Sequence, residues 1–289
     1  MNKYKLRKHF ALLASYAFLI TMAIIVLFPL LVTVMSAFNT ANTLYSRSLI
    51  PEQFSLTQNF IELFNRTEYI SWYRNTFLLA ASVSFISTIM VTISGFIYSR
   101  YRFRMKRPAL LTLLIVQVAP ANIGLIALFS MARALGIYSS PNSVLLTYGF
   151  MMLIFAAGQI TMNTIIMKGY FDSIPKDLDE SAKIDGATHV QVFRQILLPL
   201  AKPMVAVIAF FAFLAPVVDV LIPRFLIVSL HSRDTTLALG LNALIDNPRD
   251  QSFNLFAAGA ILVALPPVIL FFVLQKYIVS GLAAGGVKG

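Results

Sequence analysis

The sequence predicts an all-α, polytopic membrane protein with six transmembrane helices, both termini in the cytoplasm, and a helical cytoplasmic insert between the fourth and fifth spans. Three observations predict it. First, the 289 residues are 58% hydrophobic and only 12% charged, with a mean hydropathy of +0.78; a soluble domain carries roughly 25% charged residues. Second, six apolar stretches reach the ~20 residues needed to cross a bilayer. Third, the basic residues are unevenly divided between the connections. With the N-terminus inside, sixteen of the 23 Lys and Arg residues fall on inside segments, and Arg47, Arg66, Arg74, Arg133, Arg224, Arg233 and Arg249 outside. That bias obeys the positive-inside rule.

Composition also excludes several chemistries. There are no cysteines, hence no disulfides and no thiolate metal site, and the three histidines, His9, His189 and His231, are too scattered for a zinc centre. The net charge of +11 raises nucleic acid as a partner, and "SRYRFRMKR" (Ser99–Arg107) even interleaves aromatics with arginines. That stretch lies between two apolar spans, however, where a positive cytoplasmic loop is the expected feature, so no nucleic-acid partner is expected.

The first span, Ala11–Phe38, follows the basic "MNKYKLRKHF" and is far longer than a signal-peptide core, so it reads as a retained span. Residues Asn39 to Asn75 form a long outer segment whose "SLIPEQFSLTQNFIELF" reads as a turn and a short helix. The N-terminal span and this loop (1–75) are thus distinguished from a core region (76–289). The second span is Thr76–Tyr98. The third, Ala109–Met131, carries Gln117 and Asn122 on either side of Pro120; the fourth, Val144–Met167, carries Gln159 and Asn163 four residues apart on one helix face. These amides are candidates for a translocation path, against the commoner role of holding helices together.

The fifth span, Val205–Val228, holds Asp219, the one acidic residue inside a span, flanked by Pro216 and Pro223. An intramembrane charge is a functional candidate by default, here a gate or cavity-lining group, or else a structural partner for Arg224 or for a neighbouring subunit. Residues Ser229 to Ser252 form a second long outer segment, apolar in the middle at "LALGLNALI" (Leu237–Ile245). The sixth span is Phe253–Leu274, and a tail (275–289) ends in "GLAAGGVKG", which composition alone reads as flexible.

The insert, Lys168–Pro203, is the longest inside connection. A helix is expected from near Pro175, with Asp177 and Glu180 at capping-box spacing and Asp177, Asp179 and Glu180 in the dipole-favoured first turn. Lys183 stands at pairing distance from Asp179 and Glu180, and Leu178 with Ala182 should line one face. Gly186 then turns the chain, and Thr188 with Gln191 forms a second capping-box spacing. Val190, Phe193, Ile196 and Leu197 should share a face of a second short helix before Pro199 and Pro203 mark the return to the membrane.

This stretch resembles the EAA loop of ATP-binding-cassette (ABC) importer permeases, E-A-A-x3-G-x9-I-x-L-P. Glu180, Ser181, Ala182, Gly186, Ile196, Leu198 and Pro199 keep every spacing, with Ser181 in place of an alanine as the one departure. "SLIPEQ" (Ser48–Gln53), "KGYFDSIP" (Lys168–Pro175) and the C-terminal "GLAAGGVKG" extend the resemblance to MalG-type permeases, the smaller membrane subunit of maltose and maltodextrin importers.

The resemblance implies a non-enzymatic, multi-pass subunit of the cytoplasmic (inner) membrane that works with a MalF-like companion permease, two ATPase subunits and an extracytoplasmic sugar-binding protein. It implies that the EAA residues dock on an ATPase subunit, and that Gly285, Gly286 and Lys288 reach between the two ATPases. Leu237, Leu239, Asn242 and Leu244 correspond in position to the loop that probes the binding protein, although a helix lying on the membrane surface is the alternative. ATP and Mg are expected on the partner subunits and no cofactor in this chain, because no G-x4-G-K-[ST] phosphate loop occurs in it. A secondary transporter would usually show repeat symmetry with paired broken helices. An integral membrane enzyme would need clustered His, Asp or Glu at the membrane edge. Neither pattern is evident.

Overall fold

The computed structural model describes residues 3–40, 51, 53–118, 124–228, 231–246 and 251–286. Twelve helices are described: α1 (Lys3–Ala37), α2 (Gln58–Arg66), α3 (Tyr69–Arg100), α4 (Lys106–Val118), α5 (Gly124–Ala134), α6 (Ser143–Ser173), α7 (Asp177–Ile184), α8 (His189–Gln191), α9 (Leu198–Val218), α10 (Leu221–Leu226), α11 (Leu237–Asp246) and α12 (Phe253–Gly286). The one β-type pairing among the described residues is an isolated bridge between Asn39 and Phe54. The all-α polytopic expectation therefore holds. Among the described residues, five helical stretches are long and apolar enough to cross a membrane: Leu12–Ala37, Tyr69–Arg100, Ser143–Ser173, His189–Val218 and Phe253–Lys276.

The spans differ from the sequence expectation at two places. Over the expected third span, α4 and α5 are described on either side of residues 119–123, which lie outside the described residues. The second helix of the insert is not separate from the fifth span. It runs from α8 through a π-helical turn (Val192–Leu197) into α9, giving a continuous helical stretch from His189 to Val218. Pro199 lies well inside that continuous helix, directly after the π turn, and Pro203 lies inside α9 rather than marking a boundary; each lacks the N–H that would bond the preceding turn. Finally, the expected fifth span ends early, with Asp219 in extended backbone (φ −80°, ψ 127°) between α9 and α10.

The chain divides into two compact units, Met1–Thr67 with Leu241–Leu262, and Glu68–Gly240 with Val263–Gly289. In the first, Asn59 of α2 is buried and donates through Nδ2 to the carbonyls of Ala37 and Asn39, both at 2.8 Å; Asn254 Nδ2 donates to Asn59 Oδ1 at 3.1 Å. This small polar centre satisfies carbonyls left over where α1 ends and sits beside Ala37, Ala257 and Ala258, packed by Phe60 and Ile261. Along α1 itself the side chains from Leu12 to Val32 are exposed, as suits a helix whose solvent is lipid.

In the second unit, α3 packs along α6 and α9. Toward the C-terminal end of α3, Val91, Met167, Phe171, Leu197, Ala201 and Ile208 form a core that Phe96 and Phe193 close with rings 4.6 Å apart. Toward its N-terminal half, Leu79 and Val83 pack with Ile137, Met151 and Leu226. Ser84 Oγ donates to the Ala209 carbonyl at 2.8 Å, joining α3 to α9, the kind of small-residue polar contact that binds helices in lipid.

Candidate functional site

The Glu180–Pro199 unit is built from local chemistry. Ile174 precedes Pro175 and is extended (ψ 126°), as a residue before proline must be, so α6 ends and α7 begins after a short turn. Asp177, Asp179 and Glu180 fill the first turn of α7 and Lys183 the last, matching the helix dipole at both ends. Lys176 occupies the N-cap position without a side-chain cap, so the expected Asp177–Glu180 box is not what starts this helix.

The C-terminal end of α7 is a complete Schellman motif. Gly186 has φ +84°, the Gly186 N–H donates to the Lys183 carbonyl at 3.1 Å, and the Ala187 N–H to the Ala182 carbonyl at 2.9 Å. Thr188 then starts α8 with a full capping box. The Thr188 N–H donates to Gln191 Oε1 at 2.7 Å, and the Gln191 N–H to Thr188 Oγ at 3.3 Å.

The buried face of α7 is Asp179 with Ala182, not Leu178 with Ala182; Leu178 is largely exposed. Asp179 stands close enough in sequence to pair with Lys183, yet its partner is Arg100, the last residue of α3. Arg100 Nε lies 2.5 Å from Asp179 Oδ2, and the two side chains are only 8% and 9% exposed. The same guanidinium donates from Nη1 to the Phe171 carbonyl at 2.9 Å and from Nη2 to the Ile174 carbonyl at 3.0 Å. Those carbonyls belong to the end of α6, where a helix runs out of N–H partners. One arginine thus ends α6 and holds α7. Beside it, Ser99 Oγ donates to Asp172 Oδ1 at 2.6 Å, and Lys168 Nζ pairs with Asp172 Oδ2 at 2.5 Å.

With Asp179 and Ala182 turned inward, Glu180, Ser181 and Gly186 are exposed, and Ile184 stands 86% exposed at the tip of α7. An isoleucine that open, on a short helix held rigidly from behind, is a projecting apolar contact. Of the motif's closing residues, Ile196 packs against the core and Leu198 is half-buried, with the fully buried Leu197 between them, whereas Pro199 is exposed. Val190 was expected on that inner face but is exposed, and Val192 takes its place. The π turn is the reason. The Leu198 N–H bonds the Phe193 carbonyl, five residues back, so buried positions fall five apart at Val192 and Leu197.

The other candidates lie elsewhere. Asn163 is buried and donates to Gln159 Oε1 at 2.9 Å and to the Gln159 carbonyl at 3.0 Å, so these two amides do meet. Gln117 Nε2 donates to the Thr161 carbonyl at 2.8 Å, joining α4 to α6. Asn122 lies outside the described residues. Asp219 is half-buried and accepts the Ile222 N–H at 2.8 Å, capping the start of α10. Gly285 and Gly286 are the last residues of α12, and Lys288 lies outside the described residues.

Leu237, Leu239, Asn242 and Leu244 lie on α11 as expected. The residues before and within its first turn are fastened to α3. Trp72 Nε1 donates to the Ser232 carbonyl at 2.7 Å, Asn75 Nδ2 to the carbonyls of Arg233 (2.8 Å) and Thr235 (3.2 Å), and the Leu237 N–H to Thr76 Oγ at 2.7 Å. Tyr148 O–H adds a bond to the Asp234 carbonyl at 3.0 Å. Gly240 closes on the Trp72 ring so tightly that a Cβ there would lie 2.4 Å from it.

The family described as binding-protein-dependent transport system inner membrane component matches residues 92–283. The chain is 44% identical over 277 residues to the maltodextrin transport system permease protein MdxG of Bacillus subtilis (strain 168), covering 96% of each. It is 41% identical over 288 residues to the galactooligosaccharides transport system permease protein GanQ of the same organism, covering 99% of this chain and 98% of that one. Among solved structures, a bacterial ABC transporter involved in import of the acidic polysaccharide alginate superposes with a TM-score of 0.76 at 21% identity, over 94% of this chain and 98% of that one.

Proposed function

The chain belongs to the binding-protein-dependent transport system inner membrane component family, and from that membership we propose that it is the permease subunit of an ATP-driven carbohydrate importer of the cytoplasmic membrane. The observation that carries the coupling role is the geometry of α7. Its inner face is locked by Arg100, and its outer face offers Glu180, Ser181, Ile184 and Gly186 to a partner. That partner is an ATPase subunit, one of two, on which ATP and Mg are bound. The 289 residues contain no G-x4-G-K-[ST] loop in which a phosphate chain would be cradled.

In this reading a sugar-loaded binding protein docks against the α11 side, the ATPases close on ATP, and α7 carries that movement into the spans. The cavity shared with a MalF-like companion opens outward, receives the sugar, and resets inward after hydrolysis. The 44% identity to a maltodextrin permease makes maltodextrin the first substrate class. The 41% identity to a galacto-oligosaccharide permease makes that class the second.

The test is uptake into proteoliposomes holding the complete complex, with labelled maltodextrins and galacto-oligosaccharides each presented on a binding protein. ATP-dependent accumulation of one class, abolished without the binding protein, is the expected result. Accumulation without ATP or without a binding protein would overturn the proposal.

A further inference from the structure

We propose that α3 is a strut tying the docking helix α7 to the segment 232–240, with Arg100 and Asn75 as its positioning residues; this rests on the function proposed above. The 32 residues of α3 extend about 48 Å at 1.5 Å per residue. No proline interrupts them, and the one glycine, Gly95, is packed directly against Met167 of α6, so a proline kink is missing and the one Gly/Ser pair is braced. The helix is held along its length by buried Leu79, Val83 and Val91.

Each end carries a polar fastening that is costly to undo. At the C-terminal end, separating Arg100 from Asp179 leaves an uncompensated charge in a nearly buried site. It also takes the guanidinium donors from the Phe171 and Ile174 carbonyls, the first of which keeps the Ile174 N–H at 3.2 Å. At the N-terminal end, Trp72, Asn75 and Thr76 occupy one face of a single turn and meet the Ser232, Arg233 and Thr235 carbonyls and the Leu237 N–H. Pulling that segment from α3 takes the α3 partner from four backbone groups, of which the Ser232 carbonyl alone keeps another, the Thr235 N–H at 3.3 Å. A displacement of α7 is therefore passed to α3 and from it to segment 232–240, without slack at either joint.

Sharing a helix is not itself coupling, and the coupling has to be measured as a free energy between the two ends. The experiment uses the full complex in nanodiscs with the sugar-loaded binding protein. The Kd of that protein is read in the nucleotide-free state and in the state trapped with ATP and vanadate. The ratio of the two is the coupling. Asp179→Asn and Asn75→Ala each shrink the ratio about tenfold, within the usual range of site–site coupling. The double variant shrinks it no further than the larger single effect, because a strut released at one end no longer transmits.

Size-exclusion chromatography establishes that each variant assembles. If Asp179→Asn does not, Arg100→Lys replaces it, keeping a positive charge opposite Asp179 while losing the planar fork on the two carbonyls. Thr76→Val replaces Asn75→Ala on the same terms. An unchanged ratio in either single variant, or effects that multiply in the double variant, would overturn the strut. A wild-type complex whose Kd ignores nucleotide would instead overturn the proposed function, and the strut with it.

Discussion

Arg100 and Asp179 form an ion pair, with Nε to Oδ2 at 2.5 Å, in which neither side chain is more than 9% exposed. A pair of this kind adds little net stability over an apolar core, but removing one partner strands the other, at a cost of about 3–5 kcal/mol. Asp179→Ala should therefore lower the thermal unfolding midpoint sharply, whereas Asp177→Ala, on the exposed first turn of α7, should lose only a few tenths of a kcal/mol of dipole interaction. The chain holds one tryptophan, Trp72, so its emission during detergent-solubilised unfolding reads both variants.

Gly186 combines φ +84° with open space around its α-carbon. Gly186→Ala should cost about 1 kcal/mol of backbone strain and keep more than half of uptake. Gly186→Arg bears the same strain but fills the space a partner needs. It should insert at normal levels and leave ATP hydrolysis uncoupled from uptake, as read by ATPase and uptake assays on the same proteoliposomes. Normal uptake by the arginine variant would remove Gly186 from the docking contact.

At Gly240 the obstacle is a ring rather than a torsion. A Cβ would stand 2.4 Å from Trp72, so Gly240→Ala must displace the indole or the backbone, an overpacking cost of about 1–3 kcal/mol. A shifted Trp72 emission maximum in the folded protein is the expected signal. Unchanged emission and stability would contradict the close packing.

Asp219 separates charge from capping. Its carboxylate accepts the Ile222 N–H at 2.8 Å, a bond that an asparagine oxygen also makes. Asp219→Asn should retain near-normal uptake, and Asp219→Leu should lose about 1 kcal/mol with the cap. Equal loss of uptake in both variants, at normal stability, would show that the charge itself is needed.

Much of the Glu180–Pro199 unit was legible because its chemistry is local. Gly186 as a turn and Thr188 with Gln191 as a capping box each depend on residues within a few positions. The short helices α2 and α11 were legible for the same reason. What escaped was long-range or changed the helical repeat. Arg100 read as one more positive charge in a basic loop, since nothing nearby in sequence reveals an aspartate 79 positions on. The inner face of α8 and the turn after it was read with an α-helical period, and the π turn moved Val192 inward and Val190 outward. Asp219 read as part of a continuous helical span because the apolar run continues past it to Val228, although the helix breaks there. Trp72 and Asn75 read as the end of the first outer segment and Thr76 as the first residue of a span, yet together they hold segment 232–240.

Docking of an ATPase subunit on α7, as proposed above, can be measured directly because the sequence has no native cysteines. A single cysteine introduced by Ile184→Cys, at the 86% exposed tip, is given a short photoactivatable crosslinker in the assembled complex. Leu178→Cys, at the start of the helix, serves as a companion position. Crosslinks from Ile184→Cys to the ATPase subunit, strengthening or weakening as ATP is added, are the expected result. Crosslinks to lipid alone, or to the ATPase at neither position, would contradict it.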